Sequence, residues 1–320
     1  MAERLPVVLV TGFLGSGKTT LLARLLGRPE LGETAVIVNE LGEVAIDHHL
    51  LRRVDERTVL LGNGCLCCTL RGDLADELRD LLSRRTRGEI PPFRRVLVET
   101  TGLADPAPVL NTLLAEPVVM HHFEPGAVIA TVDALNGNRQ LDREAETLKQ
   151  VLVADRLVVT KADVAERGSV DQLVDRLRGL NPAADLLEIS FGEADPDLLL
   201  APGRIDPRHL RVAEGPQHAD IRPFVLFLDR PVDWTAFGIW LTMLLASRGA
   251  DVLRVKGLLD VGAPGPVVLN GVQHVVHPPE HLEAWPDGDR RSRLVIIARG
   301  IGKDEVEESL AAFDAAARRT

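Results

Sequence analysis

Short apolar runs alternate with longer amphipathic stretches as far as residue 195 of the chain. Strands buried on both faces of a sheet give near-continuous apolar runs, whereas surface helices repeat apolar positions every three or four residues. The alternation therefore predicts an α/β fold built on a mostly parallel, doubly wound sheet. The predicted strands are residues 7–10, 35–38, 58–61, 96–98, 127–132, 156–159 and 186–189, and the predicted helices are 19–27, 70–83, 106–114, 140–153 and 169–180.

The composition changes after residue 200, where Pro, Gly and His become frequent, which is typical of a linker. We therefore predict a first domain over residues 1–200, a linker over 201–221 and a second domain over 222–320. The second domain reads as strand, helix, three strands and helix, the order of a small α+β domain with an antiparallel sheet. Its predicted strands are 223–228, 252–261, 266–276 and 293–298, and its predicted helices are 234–247 and 303–317. It has no catalytic motif, and an open face of its sheet is our candidate docking surface.

Composition excludes several classes of function. The 320 residues are 45% hydrophobic and 26% charged, as in ordinary folded proteins, and the net charge of −10 argues against a nucleic-acid surface. No apolar stretch approaches the roughly 20 residues of a membrane span. Because the first residues run straight into the first predicted strand, we expect no signal peptide. We expect a cytoplasmic protein. With 3% aromatic residues and no tyrosine, stacking a base between rings is hard to supply.

Residues 12–19 read Gly-Phe-Leu-Gly-Ser-Gly-Lys-Thr, a complete phosphate-binding loop between a predicted strand and a predicted helix. Its glycines let backbone N–H groups approach phosphate oxygens. Lys18 can reach the β- and γ-phosphates, and the Thr19 hydroxyl can bind Mg²⁺. An ordinary glycine-rich turn would not combine this spacing with both flanking elements. The chain is therefore expected to bind a nucleoside triphosphate.

Two further motifs follow predicted strands. Glu99 stands where such proteins direct a carboxylate toward Mg²⁺, and the N–H of Gly102 can meet the γ-phosphate. After the strand 156–159, Asp163 can accept two hydrogen bonds that guanine offers and adenine lacks, while the Lys161 stem lies along the base. Guanine-binding motifs usually begin with Asn where this chain has Thr160. The order and spacing of the motifs favour GTP over ATP.

Residues 39–49 follow the second predicted strand, where P-loop proteins carry a nucleotide-sensing switch. Glu40, Glu43, Asp47 and His48 are candidates for Mg²⁺, for the attacking water or for a second metal. A solvated acidic loop is the alternative for each of them.

All three cysteines fall within four residues, as Cys65, Cys67 and Cys68. This clustering in a reducing compartment indicates a metal or redox role rather than a disulfide framework. Thiolates suit Zn²⁺ and can hold Co²⁺, and three of them leave one tetrahedral position open, which favours release of the metal. Glu43 or His48 could complete the site.

These motifs occur in a fixed order as GFLGSGKTTLL (12–22), VNELGEV (38–44), GNGCLCC (62–68), ETTGLADP (99–106) and TKAD (160–163). Together they resemble the CobW-type GTPases, which are relatives of the urease and hydrogenase nickel-insertion GTPases. The resemblance continues through residues 253–257, 271–274 and 291–295, and so covers nearly the whole chain.

The resemblance implies a slow GTPase that acts as a metallochaperone and delivers zinc, cobalt or iron/cobalt to a client metalloprotein. The chain departs from some relatives at Val38, where they have a Glu that can join the metal site. Other relatives have a long His-rich run between the domains, where this chain has only His209 and His218. The resemblance assigns phosphate contact to Gly15, Ser16, Gly17 and Lys18, Mg²⁺ to Thr19 with Glu99 near it, base contact to Lys161 and Asp163, and metal to Cys65, Cys67 and Cys68. Taking these together with the motifs and the switch segment, we predict a catalytic set of Lys18, Thr19, Glu99 and Glu40, a nucleotide-binding set that also includes Thr20 and Gly102, and Glu43 as a fourth metal ligand.

Three other functions remain open at this point: a redox-sensing regulatory GTPase without metal delivery, an iron/cobalt insertion factor for one metalloenzyme, and a P-loop kinase of a small molecule. The guanine motif argues against the kinase. We expect no nucleic-acid or membrane partner, and assembly into a homo-oligomer is left open.

Overall fold

A computed structural model describes residues 4–38, 59–61, 72–200 and 220–317 of the chain. The chain divides into two compact units. The first comprises Met1–Arg176 with Ala184–Gly203, and the second comprises Leu177–Ala183 with Arg204–Thr320. The domain boundaries expected from the sequence remain a prediction, since the linker falls mostly outside the described residues. Within the described ranges, no helix is both long enough and apolar enough to cross a bilayer.

The first unit is built on a seven-stranded sheet in which every neighbouring pair of strands is parallel. The strand order is β3-β2-β4-β1-β5-β6-β7, so that β1 lies in the centre between β4 and β5. The predicted α/β class is confirmed. The strands are β1 (Leu5–Gly12), β2 (Thr34–Val38), β3 (Val59–Leu61), β4 (Arg95–Glu99), β5 (Phe123–Asp133), β6 (Arg156–Thr160) and β7 (Asp185–Glu188).

Helices connect these strands, as parallel pairing requires. Leu21, Leu22 and Leu25 of the first helix are at most 1% exposed and pack on Val8 and Val10 of β1. The helices are α1 (Lys18–Leu26), α2 (Gly72–Thr86), α3 (Pro106–Ala115), α4 (Pro117–His122), α5 (Gly137–Arg143), α6 (Ala145–Val153), α7 (Arg167–Leu180) and α8 (Pro196–Leu200), with a 3₁₀ turn at Pro29–Leu31.

The structure corrects one predicted helix of the first unit and adds two. The predicted helix 140–153 is two helices, α5 and α6, because Glu144 adopts an extended conformation with φ of −114° and ψ of 107°. The helices α4 and α8 were not predicted; both are short and both begin with proline at the first position, where a missing N–H costs nothing.

The second unit contains a six-stranded antiparallel sheet in the order β11-β10-β9-β13-β8, with β12 paired to β10. The predicted strand 266–276 is a hairpin, since Gln273 takes a left-handed φ of 52° between β10 and β11. The strands are β8 (Ile221–Leu228), β9 (Val252–Leu259), β10 (Val267–Val272), β11 (Val275–Val276), β12 (Glu280–His281) and β13 (Ser292–Arg299), and the helices are α9 (Trp234–Arg248) and α10 (Lys303–Ala317).

The core of this unit lies between one face of the sheet and the two helices. Trp240 of α9 is 1% exposed in this core and donates from Nε1 to Ser309 Oγ of α10 at 2.9 Å. All three tryptophans of the chain, Trp234, Trp240 and Trp285, belong to this unit.

The opposite face of the same sheet is buried in part. Val225, Leu258 and Val295 form a second apolar cluster with Ala183. Lys256, 2% exposed, donates from Nζ to Ala183 O at 3.3 Å. The open docking face that we expected is therefore closed at these positions, whereas Phe227 of β8, on the same face as Val225, is 43% exposed.

Candidate functional site

The parallel strands bring the sequence motifs to one edge of the first sheet. Val10 of β1 is in register with Glu99 of β4, and Gly12 of β1 is in register with Thr131 of β5. Open α/β sheets bind ligands at the carboxyl ends of their strands. The phosphate loop, the Glu99 motif and the 160–163 motif all begin at that edge.

The phosphate loop packs tightly against β5. Gly12 has a φ of 141°, and a Cβ at that position would overlap Thr131 Oγ1. Ser16 Oγ hydrogen-bonds Thr131 Oγ1 at 2.6 Å. Gly15 and Gly17 also have positive φ, at 72° and 93°. The glycines thus shape a cradle of backbone N–H groups at the start of α1, the arrangement that binds phosphate.

Lys18 is buried within this cradle, with 3% of its surface exposed. Its Nζ donates to Gly12 O at 3.0 Å and to Phe13 O at 3.3 Å. The ammonium group is therefore already held across the loop at the place where phosphate oxygens would carry negative charge.

Thr19 and Glu99 are in direct contact at this edge. Thr19 Oγ1 donates to Glu99 Oε1 at 2.7 Å, and Glu99 is fully buried at the end of β4. A hydroxyl beside a carboxylate is a hard oxygen donor set, which fits Mg²⁺. The two side chains come from positions 80 residues apart, and only the fold joins them.

The segment after β4 lies against the phosphate loop. Thr100 N donates to Val10 O at 2.9 Å, and a Cβ on Gly102 would stand 2.6 Å from Leu14 N. Gln150 of α6 holds this segment from the other side, since its Nε2 donates to Gly102 O and to Ala104 O, each at 3.1 Å. Sequence reasoning missed Gln150, because nothing local distinguishes one glutamine within a helix.

The 160–163 motif contacts the phosphate loop through its first two residues. Thr160 Oγ1 donates to Ser16 O at 2.7 Å, which gives the unusual threonine of this motif a structural role. Lys161, with a left-handed φ of 58°, donates from Nζ to Gly15 O at 2.8 Å and to Asp133 Oδ2 at 2.7 Å. Asp163 is exposed, in the turn that follows.

Asp133 is a further site residue that sequence reasoning missed. Its side chain is 3% exposed at the end of β5. Burial raises the pKa of this carboxyl, but hydrogen bonds from Lys161, Asn136 and a backbone N–H outweigh burial, so the pKa lies below its ordinary value. A charged Asp133 therefore fixes Lys161 over the phosphate loop. The run Val-Asp at the end of a predicted strand was the available signal.

The structure brings Gly15, Ser16, Gly17, Lys18, Thr19, Thr20, Glu99, Gly102 and Lys161 to this edge. Glu40, Glu43, Cys65, Cys67 and Cys68 lie outside the described residues, as do Asp47 and His48. Among the residues that are described, no group of three or more His, Cys, Asp or Glu side chains could hold a metal ion.

A parallel sheet with a complete phosphate loop, a buried carboxylate beside its threonine and a glycine packed on the loop defines a P-loop nucleotide-binding protein. Residues 6–188 match the family described as CobW/HypB/UreG, nucleotide-binding domain, and residues 221–314 match the cobalamin synthesis protein cobW C-terminal domain. The chain belongs to the CobW/HypB/UreG family and carries the CobW C-terminal domain.

The chain is similar to zinc chaperones over nearly its whole length. A zinc chaperone, YjiA of Escherichia coli, is 34% identical over 315 residues, which are 95% of this chain and 97% of that protein. The zinc chaperone CobW of Pseudomonas aeruginosa is 31% identical and covers 96% of this chain and 91% of its own. The crystal structure of the Zn(II)-bound YjiA GTPase from E. coli superimposes with a TM-score of 0.73 at 29% identity, covering 97% and 99% of the two chains.

Proposed function

We propose that this protein is a GTP-hydrolysing metallochaperone that binds a transition metal ion and transfers it to a client metalloprotein under the control of the bound nucleotide. The observation that carries the proposal is the similarity to zinc chaperones over 95% and 96% of the chain, which takes in both units. Zinc is the favoured cargo and cobalt the next, because thiolate ligands suit both ions.

The proposal gives each residue of the described site a role. Lys18 neutralises charge on the β- and γ-phosphates, and the N–H of Gly102 meets the γ-phosphate. Thr19 and Glu99 would hold Mg²⁺, which supplies charge neutralisation to the phosphates when bound. Glu40 is our candidate for the residue that acts on the attacking water. Turnover is expected to be slow until a partner accelerates it.

Guanine recognition is assigned to Asp163 and Lys161. The exposed Asp163 carboxylate is free of any burial cost that would prevent it from accepting two hydrogen bonds from a base. Lys161 is held in position by Gly15 O and Asp133. The protein is therefore expected to prefer GDP to ADP.

The cargo site is assigned to Cys65, Cys67 and Cys68 with Glu43. These residues belong to segments that start from the nucleotide edge of the sheet, since Val38 of β2 is in register with Glu99 and Leu61 of β3 is in register with Ile37. Chain that leaves β2 therefore begins beside the carboxylate that faces Thr19, and chain that leaves β3 begins one strand further along the same edge. This placement supports a metal site whose affinity depends on the nucleotide.

The dependence can be tested by calorimetric titration of Zn²⁺, and separately Co²⁺, into protein saturated with a non-hydrolysable GTP analogue or with GDP. Coupling between two sites is typically about 1–3 kcal/mol, so we expect about a 5–150-fold difference in metal affinity. Equal affinities in the two nucleotide states would contradict nucleotide control.

The ligand assignment is tested with the double variant Cys67→Ser, Cys68→Ser. We expect tight metal binding to be lost while GDP binds as in the wild type, because the phosphate loop is untouched. Stoichiometric tight binding in the variant would move the cargo site elsewhere. Mass spectrometry of purified wild-type protein distinguishes bound metal from the sulfenate or disulfide that a redox sensor would carry.

A further inference from the structure

Phe191 is an exposed aromatic side chain in a chain with few aromatic residues. It is 69% exposed, and its backbone has a left-handed φ of 56°. A bulky residue in this conformation costs free energy that a glycine would not, and exposing a phenyl ring adds to that cost. Costs of this kind concentrate at functional sites.

The position of Phe191 relates it to the nucleotide edge. Val159 of β6 is in register with Glu188 of β7, and Ile189 N continues the pairing to Val159 O at 2.9 Å. Phe191 therefore follows β7 beside the turn in which Lys161 follows β6. Those two turns leave neighbouring parallel strands at the same edge of the sheet.

The next residue anchors the turn against the helix of the phosphate loop. Gly192 has a φ of 73°, and a Cβ at that position would stand 3.1 Å from Thr20 Cγ2 and 3.2 Å from Arg24 Cγ. Glu193 N closes the turn by donating to Ser190 O at 3.0 Å. The ring of Phe191 is thus carried on a turn fixed to the first turns of α1, directly after Lys18 and Thr19.

We propose that Phe191 stacks on the guanine base and forms one wall of the base site, with the Lys161 stem as the other. This inference rests on the proposed use of GTP. A nucleotide with its phosphates in the loop 12–19 extends along the strand ends toward Lys161, and a planar base there needs an apolar face to cover it. Phe191 supplies the ring that composition alone did not predict.

The test separates the ring from its backbone. Phe191→Gly removes the ring and suits the left-handed conformation, whereas Phe191→Trp keeps an aromatic face. Leu198→Ala is the control, because Leu198 is also exposed, at 56%, and lies on α8. The Kd for GDP and for inorganic tripolyphosphate is measured by calorimetry, and the thermal midpoint is measured without nucleotide.

We expect Phe191→Gly to weaken GDP binding by about tenfold, to leave tripolyphosphate binding unchanged and not to lower the thermal midpoint. Phe191→Trp and Leu198→Ala should bind GDP as the wild type does. Unchanged GDP affinity in Phe191→Gly, or an equal loss of tripolyphosphate affinity, would overturn the inference. Wild-type protein that binds ADP as tightly as GDP would instead overturn the guanine preference of the proposed function, and the same variants would then be compared on ADP.

Discussion

Single buried charges fix the geometry of the nucleotide edge. Asp133 joins the end of β5 to Lys161, and its pKa is lowered by the groups that hydrogen-bond to it. A carboxyl whose pKa is lower in the folded than in the unfolded protein stabilises the fold when it is ionised in both states. Its contribution is therefore complete above an unfolded pKa of about 3.9 and is lost as the pH falls through the folded value.

Asp133→Asn is expected to lower the free energy of unfolding at pH 7 by about 1–3 kcal/mol, since Lys161 loses a charged acceptor. The difference from the wild type should shrink as the pH falls below 4, because the wild-type carboxyl is then protonated as well. Urea unfolding of both proteins between pH 3 and pH 7 measures it. A difference that stays constant over this range would show that the Asp133 charge is not the cause.

Gly102→Ala is expected to weaken binding of a GTP analogue more than binding of GDP. The added Cβ would stand 2.6 Å from Leu14 N, so the segment after β4 must move away from the phosphate loop. Gly168→Ala is the matched control: nothing lies within 4 Å of its Cβ, and alanine is favoured by about 1 kcal/mol over glycine in a helix. Equal losses for both nucleotides would place Gly102 outside γ-phosphate sensing.

The residues that the sequence revealed are those in local motifs. Lys18, Thr19 and Glu99 could be found because each stands at a fixed distance from a strand end. Thr131 and Gln150 could not, because they act through contacts 115 and 48 residues distant in sequence, which no local pattern encodes. Phe191 was hidden for a different reason: only the left-handed turn makes an apolar residue there unusual.

At the scale of elements, α6 is the support of the segment that follows β4. Gln150 satisfies two carbonyls of that segment, and Lys149 pairs with Asp105 at 3.1 Å. Asp105 in turn accepts from Ala107 N and so caps α3. Helix α6 thus fixes both the segment that contains Gly102 and the start of α3.

Gln150→Met keeps the volume of the side chain and removes its donors. We expect a loss of about 1–3 kcal/mol in unfolding free energy, because two carbonyls lose their buried partner, together with a smaller ratio of GTP-analogue to GDP affinity. Lys149→Met is the control on the same helix, and removing its exposed ion pair should cost at most about 1 kcal/mol. A Gln150→Met protein with wild-type affinity for both nucleotides would limit α6 to a structural role.

Periodicity located most elements but not the breaks between them. The apolar repeat continues from α5 into α6 across Glu144, and the alternation of β10 continues into β11 across Gln273. Each break depends on the backbone conformation of one residue, Glu144 or Gln273, and the type of that residue does not predict the conformation. The sheet face of the second unit was also hard to predict, since Arg254, Lys256 and Arg293 look like solvent-facing residues in the sequence and are buried.

For the whole molecule, the residues of the nucleotide site all come from the first unit, and the second unit has a core of its own. Trp240→Ala should destabilise the second unit by about 3–5 kcal/mol, since it removes a fully buried ring and the bond to Ser309. GDP affinity should not change.

Circular dichroism during urea unfolding measures the loss of stability in Trp240→Ala, and calorimetry measures its GDP affinity. Trp240→Phe is the milder comparison, because it retains most of the apolar contact. A large loss of GDP affinity in Trp240→Ala would mean that the second unit supports the nucleotide site.

The placement of the tryptophans has an optical consequence. The chain has no tyrosine, and its three indoles are confined to the second unit, so ultraviolet emission excited at long wavelength reports on that unit alone. Adding GDP or a GTP analogue to the unlabelled wild type should therefore alter the emission spectrum only if nucleotide binding in the first unit changes the surroundings of the tryptophans in the second. The protein carries its own spectroscopic probe of communication between its halves.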